Sequence, residues 1–538
     1  MFESKLSVLT QQLAVLDRDS EQSGEHASLR RILRGIEKES LRVTADGQLS
    51  ARTHPSALGS ALTHPNITTD FSEALLEFIT PPSRSIAESL ATLDQVHRFT
   101  YRNIGDELLW VNSMPCMLAQ DKDIPVGQYG SSNIGRMKTI YRQGLGHRYG
   151  RLMQTIAGIH YNWSLPDESW ALLKTDADYR GSMQDYKTER YLGLIRNFRR
   201  YFWLLLYLFG AAPAVCRTFV RDRDHQLQRF GHDDHSLHTP DATSLRMGNL
   251  GYQSNAQKSL TVCYNNLDSY VETLRTALTT PYAPYQKVGL KNVAGDYQQL
   301  STALLQIENE FYSTIRPKRV TESGEVALRA LWERGIEYIE VRCIDLNPFA
   351  PVGIDARQIH FLDTFLLFCL LEDSPPTDAE ENRHMQENQH NVVYRGRDPQ
   401  LELNIKSQNK TLPEWAAQLF TAMTPVAATL DRACGGKNYG GALQSLTPTI
   451  TNPALTPAAR VLAEMQESGK TYFRTAMDHA VQHREYFLDS ALDPATTELY
   501  RELAAESHNK QRAIEAENEL DFDSFLANYY AQYDFPLE

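Results

Sequence analysis

From Gly335 to Phe349 the chain reads GIEYIEVRCIDLNPF, an alternation of apolar and polar positions that predicts a strand. Strand side chains alternate between two faces, which puts Ile339, Val341 and Cys343 on one side and Ile336, Tyr338, Glu340, Arg342 and Ile344 on the other. The first face is apolar and suits a core. The second sets an acid and an arginine two residues apart among apolar neighbours, where a solvent face would carry lysines and threonines. Three more stretches repeat this pattern. GIEKESLRV at 35–43 places Glu37, Glu39, Leu41 and Val43 together, opposite Ile36, Lys38, Ser40 and Arg42. Within 54–81 a loop leads to a strand ending at Pro81, with Glu73, Leu75, Glu77 and Ile79 on one face, Ala74, Leu76 and Phe78 on the other, and Asp70 just before it. GIHYNWSL at 158–165 sets Ile159, Tyr161, Trp163 and Leu165 against His160, Asn162 and Ser164.

Between the strands the apolar spacing changes to three and four. Residues 1–34 read as helical, as do 82–110, where Ile86, Leu90, Leu93 and Val96 recur. Residues 128–150 read as a loop and a helix that carry Arg136, Lys138, Tyr141 and Arg142, with Gln154 beyond, towards an anionic ligand. The apolar run Tyr201–Cys216 contains Gly210 and Pro213 and is short for a membrane span, so a buried helix ending near Gly210 is expected. QIENEFYSTIRPKR at 306–319 ends in Arg316, Pro317, Lys318 and Arg319, an extended loop near an anionic ligand or carboxylates. Residues 373–410 are poor in apolar residues and read as a polar linker or excursion. From 411 to 538 helices dominate, with Thr456-Pro457 and Asp493-Pro494 as helix starts, and no cluster of catalytic character stands out. The expected organisation is α+β: residues 1–538 as a single large catalytic unit, with the catalytic sheet and its motifs in 35–370.

Composition narrows the chemistry. The 538 residues are 42% hydrophobic and 22% charged, with a formal net charge of −13 and no runs of Lys or Arg, which argues against nucleic acid and anionic membranes as partners. The N-terminal stretch has early acids and no apolar core of a signal peptide. The six cysteines are scattered without a C-x-x-C pair, so reduced thiols in a cytoplasm are expected rather than zinc ribbons or a disulfide framework. Gly144 to Gly150 has the wrong glycine spacing for a dinucleotide fingerprint, and Gly469-Lys470-Thr471 lacks the leading glycine of a P-loop. His232, His235 and His238 share a loop-like context that is a poor frame for a transition metal.

If the four strands share a sheet and face the same way, Glu37, Glu39, Asp70, Glu77 and Glu340 converge with His160. Two unit charges about 4 Å apart repel by about 4 kcal/mol at an effective dielectric of about 20, so such a cluster calls for cations. Carboxylates with one imidazole suit Mg²⁺ or Mn²⁺. Hard divalent ions beside arginines suit ATP phosphates and phosphoryl transfer. No G-x-S-x-G or comparable motif supplies a covalent nucleophile.

GIEKESLRV, HPSALGSALTHPNITTDFSEALLEFITP, the YGSSN to HYN block, QIENEFYSTIRPKR and GIEYIEVRCIDLNPF together closely resemble the proteobacterial glutamate–cysteine ligases, in register over about 35–165 and 240–370. The resemblance implies a glutamine synthetase-like fold, in which a curved antiparallel sheet surrounded by helices forms a funnel-like active site. It implies that Glu37, Glu39, Asp70, Glu77, His160 and Glu340 are metal ligands, with Arg342 and Arg142 on the transferred phosphoryl. It also implies that Tyr141, Leu145, Gln154, Arg246, Tyr252 and Tyr312 surround the cysteine. The activity implied is ATP-dependent joining of glutamate to cysteine through γ-glutamyl phosphate, the first step of glutathione synthesis, in a cytoplasmic monomer. A sister ligase using another amine, or a relative that only binds nucleotide or amino acid, would share much of this pattern. Glu340 is expected to hold a metal and Arg342 to await phosphate, without pairing mainly with each other.

Overall fold

The computed structural model of the chain describes residues 2–117, 120–174, 179–221, 223–231, 234–251, 256–257, 260–405 and 408–536. Its strands in chain order are β1 (Leu33–Val43), β2 (Ile67–Thr69), β3 (Leu75–Ile79), β4 (Leu108–Leu109), β5 (Ile159–Ser164), β6 (Ala214–Cys216), β7 (Gln228–Arg229), β8 (Ser236–His238), β9 (Ile315–Lys318), β10 (Tyr338–Ile344), β11 (Glu402–Ile405) and β12 (Gln408–Thr411). The main sheet runs β2-β3-β1-β5-β10-β9, with β4 on the far end of β1, and its pairings are antiparallel. The strands β6, β8 and β7 form a second small sheet, and β11 and β12 a hairpin.

The register turns the sequence pattern into one acidic face. Glu39 stands opposite Glu77, Glu37 opposite His160, and Glu340 opposite both Asn162 and Arg316. Directly opposed residues share a face, so these side chains lie on one side of the sheet. The other side is apolar and sealed by helices. There Tyr161 donates to Asp363 Oδ1 at 2.7 Å and Arg34 Nε to Asp363 Oδ2 at 2.7 Å, tying β5 and β1 to the helix Ala356–Leu371. Lys38, also on this side, donates to Ser40 Oγ at 2.7 Å and contacts His97 Nε2 of the helix Ile86–Tyr101 at 2.8 Å. One hydrophobic cluster extends from Leu9 to Phe535, through the sheet's back face and the helices around it.

The structure corrects several expectations. The loop before β3 contains β2, which pairs Thr68 with Glu77. Arg316 to Lys318 form an edge strand rather than a loop, and the edge position is where Pro317 costs the ladder least. Residues 373–410 are not a linker: they hold the helix Ala379–Arg395, which buries His384, Met385, Asn388, Val392 and Val393, and most of the β11–β12 hairpin. Asn388 is satisfied there by the backbone of Asn404, donating to its carbonyl at 2.8 Å and accepting from its N–H at 2.8 Å. Cys116 and Cys216 are joined in a disulfide, with Cα atoms 5.3 Å apart, so two of the six cysteines are not thiols. The run after Arg200 forms the helix Trp203–Phe209, wholly buried and ending before Gly210. Among the described residues no helix is long and apolar enough to cross a membrane. His232 lies outside the described residues.

Candidate active site

The acidic face floors a cavity of about 800 Å³. Glu37, Glu39, Asp70, Glu77, His160 and Glu340 all line it, as do Arg342, Arg142, Tyr141, Leu145, Gln154 and Tyr312. Arg246 stands behind the wall, fully buried, donating through Nη2 to the Arg342 carbonyl at 3.0 Å. Tyr252 lies outside the described residues.

The centre of the floor is tightly coupled. His160 Nδ1 lies 2.9 Å from Glu37 Oε2 and 3.9 Å from Glu340 Oε1, and His160 Nε2 lies 3.7 Å from Glu39 Oε1. A carboxylate oxygen only accepts, so in this contact the imidazole Nδ1–H donates to Glu37. Asn162 Nδ2 donates to Glu37 Oε1 at 2.8 Å, and the Gly158 N–H donates to Glu39 Oε2 at 2.6 Å. Glu340 has Lys318 Nζ 3.6 Å from Oε1 and Arg342 Nη1 3.1 Å from Oε2. Glu340 and Arg342 therefore are neighbours in this structure, closer than the strand pattern led us to expect.

The carboxyls divide by environment. Burial opposes the charge on Glu340, but Lys318, Arg342 and His160 overcome it and hold its pKa well below the ordinary carboxylate value. Glu37 is also lowered: burial and the Glu340 charge act upward, and the hydrogen bond from His160 together with the charges of His160 and Lys318 outweighs them. Burial pushes Glu39 up and pushes Glu77 well up, and for Glu77 repulsion from Glu37, Asp70 and Glu39 adds to it. The floor is thus short of positive charge on its Glu77 side.

A divalent cation held by the floor would offset its acids. Glu37, His160 and Glu340 each present a ligand atom, all within 4.8 Å of one another. Glu340 Oε2 is buried and has Arg342 Nη1 as an ion partner at 3.1 Å without a well-aligned hydrogen bond, which leaves its lone pairs open to a cation. The donor set of carboxylates and one imidazole fits Mg²⁺ or Mn²⁺.

Cations flank the acids on both sides. Arg142 and Lys138 come from the helix Asn133–Tyr149, stacked over Tyr129 at 4.4 and 5.3 Å, and Arg142 Nε donates to the Asp70 carbonyl. Lys138 is pushed down to about 8 by burial and by Arg142. Arg316 and Lys318 come from β9 and Arg342 from β10. The sequence pattern brought Arg316, Lys318 and Lys138 near an anion without giving them a role.

Several wall residues were not legible. Glu310 accepts from Arg148 Nη1 at 2.8 Å, from the Tyr149 hydroxyl at 2.7 Å and from the Gln306 N–H at 2.7 Å. Gln257 donates to the Tyr149 hydroxyl at 3.2 Å and accepts from the Tyr312 N–H at 3.0 Å, fixing two tyrosines of the wall. Tyr529 also lines the cavity, from the helix Phe522–Ala531 in the portion that offered no catalytic pattern. That helix and the residues before it dock on the helix Asn133–Tyr149 and on the Gln306 backbone: the Asn133 N–H donates to Asn518 Oδ1 at 3.0 Å, Arg136 stacks over Phe522 at 4.4 Å, and the Tyr530 hydroxyl donates to the Gln306 carbonyl at 2.7 Å. The acids inside QIENEF and the acid of the DLNPF segment were the available signals; nothing local marked Tyr529.

An open antiparallel sheet with an acidic floor, cationic flanks and an outer layer of helices is the architecture of glutamine synthetase-like carboxylate–amine ligases. The chain belongs to the glutamate–cysteine ligase family, whose model matches residues 18–392. It is 52% identical over 509 residues to the glutamate–cysteine ligase of Alcanivorax borkumensis, covering 94% of this chain and 96% of that one. It is 48% identical over 535 residues to that of Pseudomonas fluorescens, covering 99% of each. The crystal structure of the Francisella tularensis glutamate–cysteine ligase in complex with AMP superposes with a TM-score of 0.87 at 36% identity, covering 93% of this chain and 97% of that one.

Proposed function

We propose that the cavity joins the γ-carboxylate of L-glutamate to the amine of L-cysteine, using ATP and giving γ-glutamylcysteine, ADP and phosphate. The observation that carries this reading is the acidic floor set between two cationic flanks in one cavity, in a chain of this family. Glu37, Glu39, Asp70, Glu77, His160 and Glu340 would hold Mg²⁺ or Mn²⁺. When bound, the metal offsets phosphate charge and joins the triphosphate to the acids.

Arg342 and Arg142 reach the cavity from opposite flanks and would offset the charge that spreads over the transferred phosphoryl. Lys138, Arg316 and Lys318 add positive charge for the rest of the triphosphate. A glutamate γ-carboxylate oxygen attacks the terminal phosphorus, the bond to the ADP oxygen breaks, and γ-glutamyl phosphate forms. The cysteine amine then attacks the acyl carbon, phosphate leaves with the C–O electron pair, and the amine gives up its proton. Tyr141, Leu145, Gln154 and Tyr312 would line the amine subsite, with Arg246 behind them. Their aromatic and apolar surfaces keep water from the acyl phosphate. The substrates, ATP and free amino acids, argue for a cytoplasmic enzyme.

Incubation with Mg-ATP, glutamate and a panel of amines, with ADP release and product mass as readouts, tests the reading. Cysteine should be the preferred amine and should yield γ-glutamylcysteine. Turnover with cysteine no faster than with water would refute it.

A further inference from the structure

Directly after the strand that carries Glu340 and Arg342 comes Asp345, an acid to which the reaction above gives no part. Asp345 is buried, at 2% exposure, yet it belongs to neither flank of the cavity. Its Oδ1 accepts from Ser244 Oγ at 2.9 Å and its Oδ2 from the Ala211 N–H at 2.9 Å. Arg246 Nη1 lies 3.7 Å from Asp345 Oδ1, and both side chains are almost fully shielded. The Nη2 of the same guanidinium donates to the Arg342 carbonyl, which holds Arg246 against the strand from behind.

On another side of that guanidinium lies Gly158. A Cβ built there would stand 2.5 Å from Arg246 Cζ, so any side chain at 158 displaces the guanidinium. Gly158 also exchanges two hydrogen bonds with Glu39: its N–H donates to Oε2 at 2.6 Å and its carbonyl accepts from the Glu39 N–H at 3.0 Å. Burial raises the Tyr312 phenol to about 12 and the Arg246 charge works against that rise, so the guanidinium is close to a wall of the amine subsite. An arginine fixed from several sides holds its charge at one place behind the wall, and in a buried setting that charge is little screened.

We propose that Asp345 and Gly158 are positioning residues that fix the Arg246 guanidinium behind the amine subsite, where its charge favours the carboxylate of the amine-donating substrate. Asp345 supplies the opposing charge and the direction, and Gly158 supplies the space. This rests on the proposed reaction, which assigns an amino acid to that subsite.

The test is a mutant cycle on the full chain, with the KM for the amine, glutamate and ATP measured separately. Asp345→Asn keeps the shape and removes the charge; it should raise the KM for the amine about tenfold while kcat changes by less than about threefold. The KM values for glutamate and ATP should stay within about twofold. Gly158→Ala, with Asp345 intact, should also raise the KM for the amine. Ser244→Ala, which removes the hydrogen bond to Asp345 Oδ1 without touching Glu39, should do so with the same split and decides the question if Asp345→Asn does not fold. In an Arg246→Ala background, Asp345→Asn should add no further rise. An equal further rise in that background, or a rise shared by all three substrates, would overturn the positioning role. If the wild type prefers an amine other than cysteine, the cysteine reading fails, while the same cycle run on the preferred amino acid still decides the role of Asp345.

Discussion

Glu77→Gln should make the metal-free protein more stable while abolishing its activity. Glu77 is on the side of the acidic floor furthest from Lys318 and Arg342, directly across from Glu39 and with Asp70 nearby. Burial and three acidic neighbours raise its pKa well above the ordinary 4.5. The cost of this placement has a ceiling at pH 7, because the carboxyl can always take a proton. Between its ordinary pKa and pH 7 that protonation costs about 3 kcal/mol. A repulsion of about 3 kcal/mol between carboxylates about 5 Å apart at an effective dielectric of about 20 gives the same scale. Glutamine keeps the shape and removes both costs. For a chain of 538 residues a gain of about 3 kcal/mol raises the unfolding midpoint by about 3 °C. The assay is thermal unfolding at pH 7 in chelator and again in excess Mg²⁺. In chelator the variant should melt above the wild type, and in Mg²⁺ the wild type should gain more than the variant. A variant that melts at or below the wild type in chelator would refute the claim that the floor is strained without a cation.

Arg342→Ala should lower kcat by about 10²–10³-fold with a smaller change in the KM for cysteine, since its charge is needed most as phosphoryl charge spreads; a pure KM effect on cysteine would put it in the wrong subsite. The Cys116–Cys216 disulfide closes a loop with a sequence separation of 100, and Cys116→Ser should lower stability by about 4–5 kcal/mol on the chain-entropy account. Titration of the unreduced, denatured wild type should find thiols at Cys263, Cys343, Cys369 and Cys434 only, and six reactive thiols would refute the pairing. His483 is held down to about 4 by burial and by Lys38, so it stays neutral in the fold while the unfolded chain takes a proton below about 6.5. Its contribution to stability is complete above pH 6.5 and is lost as pH falls towards 4, with a slope of about 1.4 kcal/mol per pH unit. His54, His64 and His97 are lowered as well, so His483→Leu should reduce the slope of denaturant-derived stability over that window by about 1.4 kcal/mol per pH unit, and a wild-type slope retained in the variant would refute it.

The floor of the site was legible because a strand's alternation is local. Glu37, Glu39, Glu77 and Glu340 each betray themselves as an acid beside apolar residues on a strand face, His160 lies on the short uncharged polar face of its strand, and one sheet with shared registers then brings them together. Distances between neighbours were less legible, as the approach of Arg342 to Glu340 shows, since side-chain direction beyond Cβ is set by packing. Composition misled over 373–410, because it registers the polarity of His384 and Asn388 but not the partners that allow them to be buried. Cys116 and Cys216 lie too far apart in sequence for spacing to connect them. Arg246 could be named by resemblance, yet its supports at Asp345 and Gly158 come from separate elements and meet only in the fold.

The position of Tyr529 has a consequence for the order in which the enzyme comes into being. Once β10 has been synthesised, every strand of the main sheet exists and the acidic floor can assemble. The wall contributed by the helix Phe522–Ala531 is then still unmade, and at about 5–20 residues per second it arrives roughly 10–40 s later. A nascent chain therefore holds its acidic floor before the wall that Tyr529 completes, so the enclosed cavity belongs only to a chain synthesised past that helix.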